Sequence, residues 1–244
     1  MVIRDLEKER NHWKEISENK ILARPWESAA GKIRKRRRVE FLLDFPNCNE
    51  SMSVLEIGAG SGIFTSELTK YFKNLTAIDL SQELLDLAKV KYLNVNFRTM
   101  DAHQLAFPDN SFDAVLGVSI LHHLDWDMAL QSIFEKLKPG GWIRFSEPNL
   151  MNPQIFLQKN IPWLKKMAGD SPDEYAFTSS QIIRSLTTVG FSNISAQPFE
   201  FLHPSTPPSW VPFVQRLEDF FSMAPTKIFG GSLLISARKP DNNR

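Results

Sequence analysis

Cysteine occurs once in the 244 residues, at Cys48. A single thiol excludes a disulfide framework and any metal cluster built on cysteines. No stretch reaches about 18 consecutive apolar residues, so nothing reads as a membrane-spanning helix. The opening residues, MVIRDLEKERNHWKE, are charged from the fourth position and lack the apolar stretch of a secretory signal. The expected compartment is therefore cytoplasmic. Excess charge is missing as well: 29 basic against 28 acidic side chains leave a net charge of +1, which argues against a dedicated nucleic-acid binder. Tyrosine is scarce, 3 against 18 Phe and 6 Trp, and many of these aromatic residues fall outside the segments that read as sheet core. Repeats and low-complexity tails are absent. What remains is an ordinary globular composition, long enough to bury a sizeable core.

Short β-type runs alternate with helical patterns along the first two thirds of the chain. Residues 5–20 predict a polar, mixed-charge helix. Residues 26–45 predict another, with Trp26, Ala30, Ile33, Arg37 and Phe41 near helical spacing. Strands are expected at Ser53–Ile57, Leu75–Asp79, Val95–Thr99, Phe112–Gly117 and Trp142–Ser146. Between them lie helices at Phe64–Phe72, after Ser81 as N-cap, and at Asp127–Leu137, the last stopped by Pro139-Gly140-Gly141. Such alternation means an α/β fold, a doubly wound and mostly parallel sheet covered on both faces. Further on, amphipathic helices are expected over Asn149–Met167, Ser179–Thr188 and Trp210–Met223. Strands at Phe191–Leu202, interrupted by Pro198, and Ser232–Ala237 bring the sheet to seven. The boundaries drawn are a helical N-terminal cap over 1–50 and a sheet domain over 51–240, with lid insertions at about 149–178 and 204–226.

The chemistry concentrates where the first strand breaks into Gly58-Ala-Gly-Ser-Gly62. A glycine turn after a buried strand lets a ligand approach backbone that a side chain would block. Ile63 stands where a dinucleotide-binding G-x-G-x-x-G places its third glycine, and no Lys-Ser/Thr pair follows to make a phosphate loop. Glu56, inside the strand, would repel a pyrophosphate and attract an ammonium group. Asp79 ends the second strand, in place to accept from ribose hydroxyls, and Asp101 follows the third, in place to meet an exocyclic amine. An ammonium, a ribose and an adenine without phosphate would satisfy all of these together.

The series VLEIGAGSG (54–62), AIDLS (77–81), Asp101-Ala102, FDAVLGVSILHHL (112–124) and LKPGGWIRFSEP (137–148) resembles the successive motifs of class I S-adenosyl-L-methionine-dependent methyltransferases. It is most similar to the group that methylates small metabolites and lipids. The resemblance, close over about 50–148, implies a Rossmann-like seven-stranded sheet, methyltransferase activity and S-adenosyl-L-methionine as cofactor. It also implies that Gly58, Ala59 and Gly60 line the methionine portion, with Glu56 near its amino group. Asp79 would hold the ribose diol, Leu80 would lie against the adenine, and Asp101 with Ala102 would meet the adenine amine. Val118 and Ser119 would border the sulfonium.

A sulfonium is already a good leaving group, so the protein has mainly to align the acceptor and exclude water. Where a base is needed, His122, His123, Glu147 and His203 are the candidates. The first three lie at the ends of strands four and five; the two histidines could instead line the pocket without chemistry, and Glu147 could bind an acceptor group or tie down the cap. No convincing metal-ligand set assembles; Asp125 and Asp127 read as first-turn residues of the next helix. The lid segments are rich in Phe, Trp, Leu and Met. These are core-packing residues in the plainest reading and walls of a hydrophobic acceptor pocket in the sharper one. The expected partner is thus an apolar small molecule or lipid-linked metabolite, with peripheral membrane contact open and a monomer or homodimer as the assembly. The alternative is an RNA methyltransferase using Lys32–Arg38, where six of seven residues are basic. Against it, no Asn/Asp-Pro-Pro-aromatic sequence follows strand four to grip a flipped base. On the same run, Arg34 or Arg37 is expected to face inward towards a substrate anion or the cofactor carboxylate. A nicotinamide oxidoreductase is disfavoured by Ile63 and Glu56, and an idle scaffold by the completeness of the motifs.

Overall fold

A computed structural model of the protein describes residues 24–168, 170, 174–222 and 225–241; the helix expected over 5–20 lies outside them. Strand β1 (Ser53–Ile57) is buried at every position after its first, the pattern of a strand covered on both faces. It pairs in parallel with β2 (Asn74–Asp79) on one side and β4 (Phe112–Val118) on the other. Beyond these lie β3 (Asn96–Thr99) and β5 (Leu137–Pro148), both parallel. Strand β7 (Ser232–Arg238) runs antiparallel between β5 and the edge strand β6 (Ser192–Phe199). The seven-stranded order is β3-β2-β1-β4-β5-β7-β6.

Helices cover both faces, and their boundaries follow local chemistry. Ser28 accepts from the Gly31 N–H and separates α1 (Arg24–Glu27) from α2 (Ala29–Leu43), dividing the helix expected over 26–45. The helix expected over Phe64–Phe72 contracts to α3 (Thr65–Leu68), after which i→i−3 bonds such as Tyr71 N–H to Leu68 C=O tighten the chain. Ser81 caps α4 (Gln82–Lys89) and Asp125 caps α5 (Trp126–Lys136). On one face Leu55, Ile57, Val115, Ile143 and Phe145 pack with Leu130 and Ile133 of α5 and with Ile182 and Leu186 of α8 (Ser179–Val189). On the other, Val54, Ala114 and Leu116 meet Leu42 of α2, Leu68 and Phe72.

Three local readings change. Pro139-Gly140-Gly141 does not precede β5 but lies within it. Phe112 pairs with Leu137 and Ala114 with Trp142, so the residues between loop out as a bulge, with Gly140 at φ 80°. Pro198 does not interrupt β6; it pairs with Leu233, tolerated because an edge strand can spare the missing N–H. The helix expected over Asn149–Met167 is two, α6 (Pro153–Asn160) and α7 (Pro162–Ala168), since Pro162 forces Ile161 into extended backbone. Helix α9 (Val211–Ser222) completes the lid region. Among the described residues no helix is long and apolar enough to cross a membrane.

Candidate functional site

The carboxyl ends of β1, β2 and β4 open onto a cavity of about 220 Å³. Its floor is the glycine turn. Both the Gly58 and Ala59 N–H groups donate to the Ile78 carbonyl, at 2.9 and 3.0 Å, binding the turn to β2. Gly58 adopts φ 73°, and a Cβ there would stand 2.7 Å from Ile120. Gly60 adopts φ 52°, but its missing Cβ faces open space, with Leu84 the nearest atom at 4.0 Å. Asp79 accepts from the Gly60 N–H at 2.8 Å and from the Ser81 N–H at 2.9 Å, so it orders the turn. Burial pushes its carboxyl up, against the pull of these backbone donors.

At the other end Asp101 accepts from the His103 N–H at 2.9 Å and pairs with Nδ1 of the same ring at 2.6 Å. Nε2 of His103 accepts from the Asp125 N–H, which assigns the ring proton to Nδ1. Burial works to raise the Asp101 carboxyl, yet the His103 bonds hold it below its usual value. Gly58, Ala59, Gly60, Asp79, Leu80, Asp101, Ala102, Val118 and Ser119 all border the cavity. Glu56 does not; it is buried behind the turn, accepting from the Thr65 hydroxyl at 2.6 Å. Burial raises its carboxyl to about 7, with Thr65 opposing and Asp79 adding to the rise.

The catalytic candidates separate. His123 borders the cavity, whereas His122 and Glu147 stand behind it. Glu147 accepts from the N–H groups of Ile120 and Leu121, at 2.9 and 3.0 Å, and holds the 3₁₀ turn Leu121–His123. It also pairs with Nδ1 of His122 at 2.7 Å, while Nε2 of that ring lies 3.1 Å from Glu174. Burial alone would lower the His122 pKa, but the bonds to Glu147 and Glu174 outweigh it and raise it to about 9. Held between two carboxylates and away from the cavity lining, the His122 ring is placed to secure the turn. His203 is outside the cavity, with Nε2 at 3.0 Å from the Gln154 amide.

Among the described residues, His122, His123 and Glu174 bring ligand-type atoms within 4.8 Å of one another. The Lys159 ammonium pairs with Glu174 and Asp170, so the cluster carries its own cation. The basic run is similarly spoken for. Arg34 and Arg38 bind Glu200 at 2.7 and 2.6 Å, Arg37 binds Glu218 at 2.9 Å, and Lys35 binds Glu67 at 2.9 Å. Arg34 and Arg37 do turn inward, but to these two protein carboxylates rather than to a substrate or cofactor anion.

Two wall residues carried no motif signal. Trp26, edge-on to Phe64 at 5.0 Å, closes the cavity from the N-terminal side, and Arg38 lies over its ring at 5.4 Å. His103 is the third omission, and its spacing two residues after Asp101 was the available sign. Among the described residues no lysine or arginine lines the cavity, while Asp79 and Asp101 do. A pyrophosphate would face carboxylates without a countercharge. A cationic nucleoside lacking phosphate, as S-adenosyl-L-methionine is, fits this donor and acceptor set.

Residues 55–145 match the family described as a methyltransferase domain. An uncharacterised methyltransferase-like protein of Schizosaccharomyces pombe is 31% identical over 130 residues, covering 53% of this chain and 46% of that protein. A ubiquinone biosynthesis O-methyltransferase of Hydrogenovibrio crunogenus is 31% identical over 118 residues, covering 46% and 48%. The chain thus matches about half the length of these curated relatives. In fold it is similar to a SAM-dependent methyltransferase of Thermotoga maritima, described as a possible histamine N-methyltransferase, with TM-score 0.68 and 19% identity over 93% of this chain and 99% of that one. A putative methyltransferase in complex with the Haloferax volcanii Trm112 activator gives TM-score 0.69 at 18% identity, over 96% and 99%.

Proposed function

We propose that the chain, whose residues 55–145 match a methyltransferase domain, is a class I S-adenosyl-L-methionine-dependent methyltransferase that methylates a small, hydrophobic metabolite or lipid-linked acceptor. The observation that carries the reading is the cavity: lined by Asp79 and Asp101, without lysine or arginine among the described residues, and floored by backbone at Gly58–Gly60. S-adenosyl-L-methionine, when bound, supplies an electrophilic methyl group on a sulfonium. Asp79 would accept from the ribose hydroxyls, Asp101 would meet the adenine amine, and Glu56 would compensate the ammonium group from behind the turn. Glu147 and protonated His122 hold the turn after β4 in place, and His123 is the imidazole placed to take a proton from the acceptor.

An apolar acceptor is supported by the walls at Trp26, Phe64, Ile120 and Leu124 and by kinship with a ubiquinone biosynthesis O-methyltransferase. The RNA reading loses its main feature, since five of the six cations in Lys32–Arg38 already pair with carboxylates of the protein. The test is a series of phenols and amines of increasing alkyl length, followed by release of S-adenosyl-homocysteine. Each added methylene should improve kcat/KM by up to about fourfold, the equivalent of roughly 0.8 kcal/mol. Equal turnover of polar and alkylated acceptors would count against the hydrophobic site.

A further inference from the structure

The lid exposes apolar side chains that the fold does not use. Neither α6 nor α7 buries a single residue. Trp163 is 62% exposed, Met167 76% and Phe156 50%, and on the next lid element Trp210 is 60%, Phe213 55% and Phe220 70% exposed. The segments are joined at their roots. The Asn152 amide at the start of α6 donates to the Phe229 carbonyl at 2.8 Å, in the turn that follows α9. Gln154, two residues on, meets His203 in the loop that leads to α9.

Charge on these elements has one dominant sign. Helices α6 and α7 contain Lys159, Lys165 and Lys166 and no acid. Lys159 is occupied by Glu174 and Asp170, but Lys166 is exposed, as are Arg216 on α9 and Lys227 after it. Glu218 turns inward to Arg37, leaving Asp219 as the exposed acid of α9.

We propose that α6, α7 and α9 form a docking surface for an anionic lipid bilayer. Phe and Trp side chains favour the depth of the headgroups, and lysine and arginine beside them are attracted to the negative leaflet. Apolar tips spread over three short helices, interleaved with cations, suit a fluid surface better than a rigid complementary partner. The inference does not depend on the acceptor assignment. A bilayer is also where a lipid-linked acceptor would be met.

The experiment is co-sedimentation of the full chain with vesicles of phosphatidylcholine alone and with added phosphatidylglycerol. Binding is expected to require the anionic lipid and to weaken as salt is raised. The Phe156→Ser/Trp163→Ser variant should bind at least about tenfold more weakly, and Lys166→Gln should bind less tightly than the parent. S-adenosyl-homocysteine affinity and the thermal unfolding midpoint should stay at parent values, since neither aromatic residue borders the cofactor cavity. If the double variant does not fold, Trp163→Ser and Lys166→Gln carry the comparison. Protein that stays in the supernatant with anionic vesicles overturns the proposal, as does undiminished binding of the folded variant. Concentration-dependent dimerisation lost in the variant, without vesicle binding, would assign the surface to a second copy instead. Vesicle binding without S-adenosyl-homocysteine binding would leave this inference standing and remove the methyltransferase reading.

Discussion

His122 offers a test that separates a structural cation from a catalytic base. Its ring is 3% exposed and lies between Glu147 at 2.7 Å and Glu174 at 3.1 Å. Elevation of its pKa from 6.5 to about 9 corresponds to about 3 kcal/mol favouring the protonated ring in the folded state. The folded protein holds this proton more tightly than the unfolded chain. The contribution is therefore complete below 6.5 and is lost as pH rises through about 9. Urea denaturation at about pH 6 and about pH 10 reads it directly. Lysines and tyrosines also titrate in that window, so the decisive quantity is the difference between the parent and His122→Gln. The variant should be less stable at neutral pH by about 3–5 kcal/mol, because two buried carboxylates lose their shared cation. It should also lack the extra loss of about 3 kcal/mol on the alkaline side. Identical alkaline profiles for both proteins would show that the ring is neutral when folded and would restore it as a candidate base.

Two further outcomes follow from the floor of the cavity. Gly58→Ala should destabilise the fold by about 1–3 kcal/mol, since it combines positive φ with a clash at Ile120. Gly60→Leu should cost less stability but abolish S-adenosyl-homocysteine binding, because its side chain enters empty cavity; thermal melts paired with calorimetry distinguish the two. Asp79→Ala should weaken cofactor binding by about 1.5–3 kcal/mol through loss of a charged acceptor. Affinity within about twofold of the parent would count against its ribose role.

The sheet and the cofactor turn were legible because both are written in consecutive residues. The apolar run of β1 and the glycines that follow it can be read without knowing what surrounds them, and so can Ser81 and Asp125 as caps. What escaped was long-range. Arg38 and Glu200 are separated by 162 positions, and no local pattern announces that one neutralises the other. Glu174, which with Glu147 fixes the charge of His122, lies in a segment with no motif, and Trp26 reaches the cavity from ahead of the sheet. Local strength also misled: Pro139-Gly140-Gly141 is a strong stop signal, yet pairing with β4 and β7 carries β5 through it. In the lid, apolar spacing predicts one amphipathic helix over Asn149–Met167, whereas Pro162 divides it and Phe156, Leu157, Trp163 and Met167 are exposed.

The central claim is that the cavity over Gly58–Gly60 holds S-adenosyl-L-methionine. The direct measurement is calorimetric titration of the purified full chain, freed of co-purified ligand, with S-adenosyl-homocysteine and, separately, with NAD. The expected result is one-to-one micromolar binding of S-adenosyl-homocysteine, lost in Gly60→Leu, and no comparable response to NAD. Tighter binding of NAD, or no binding of S-adenosyl-homocysteine by folded protein, would contradict the assignment.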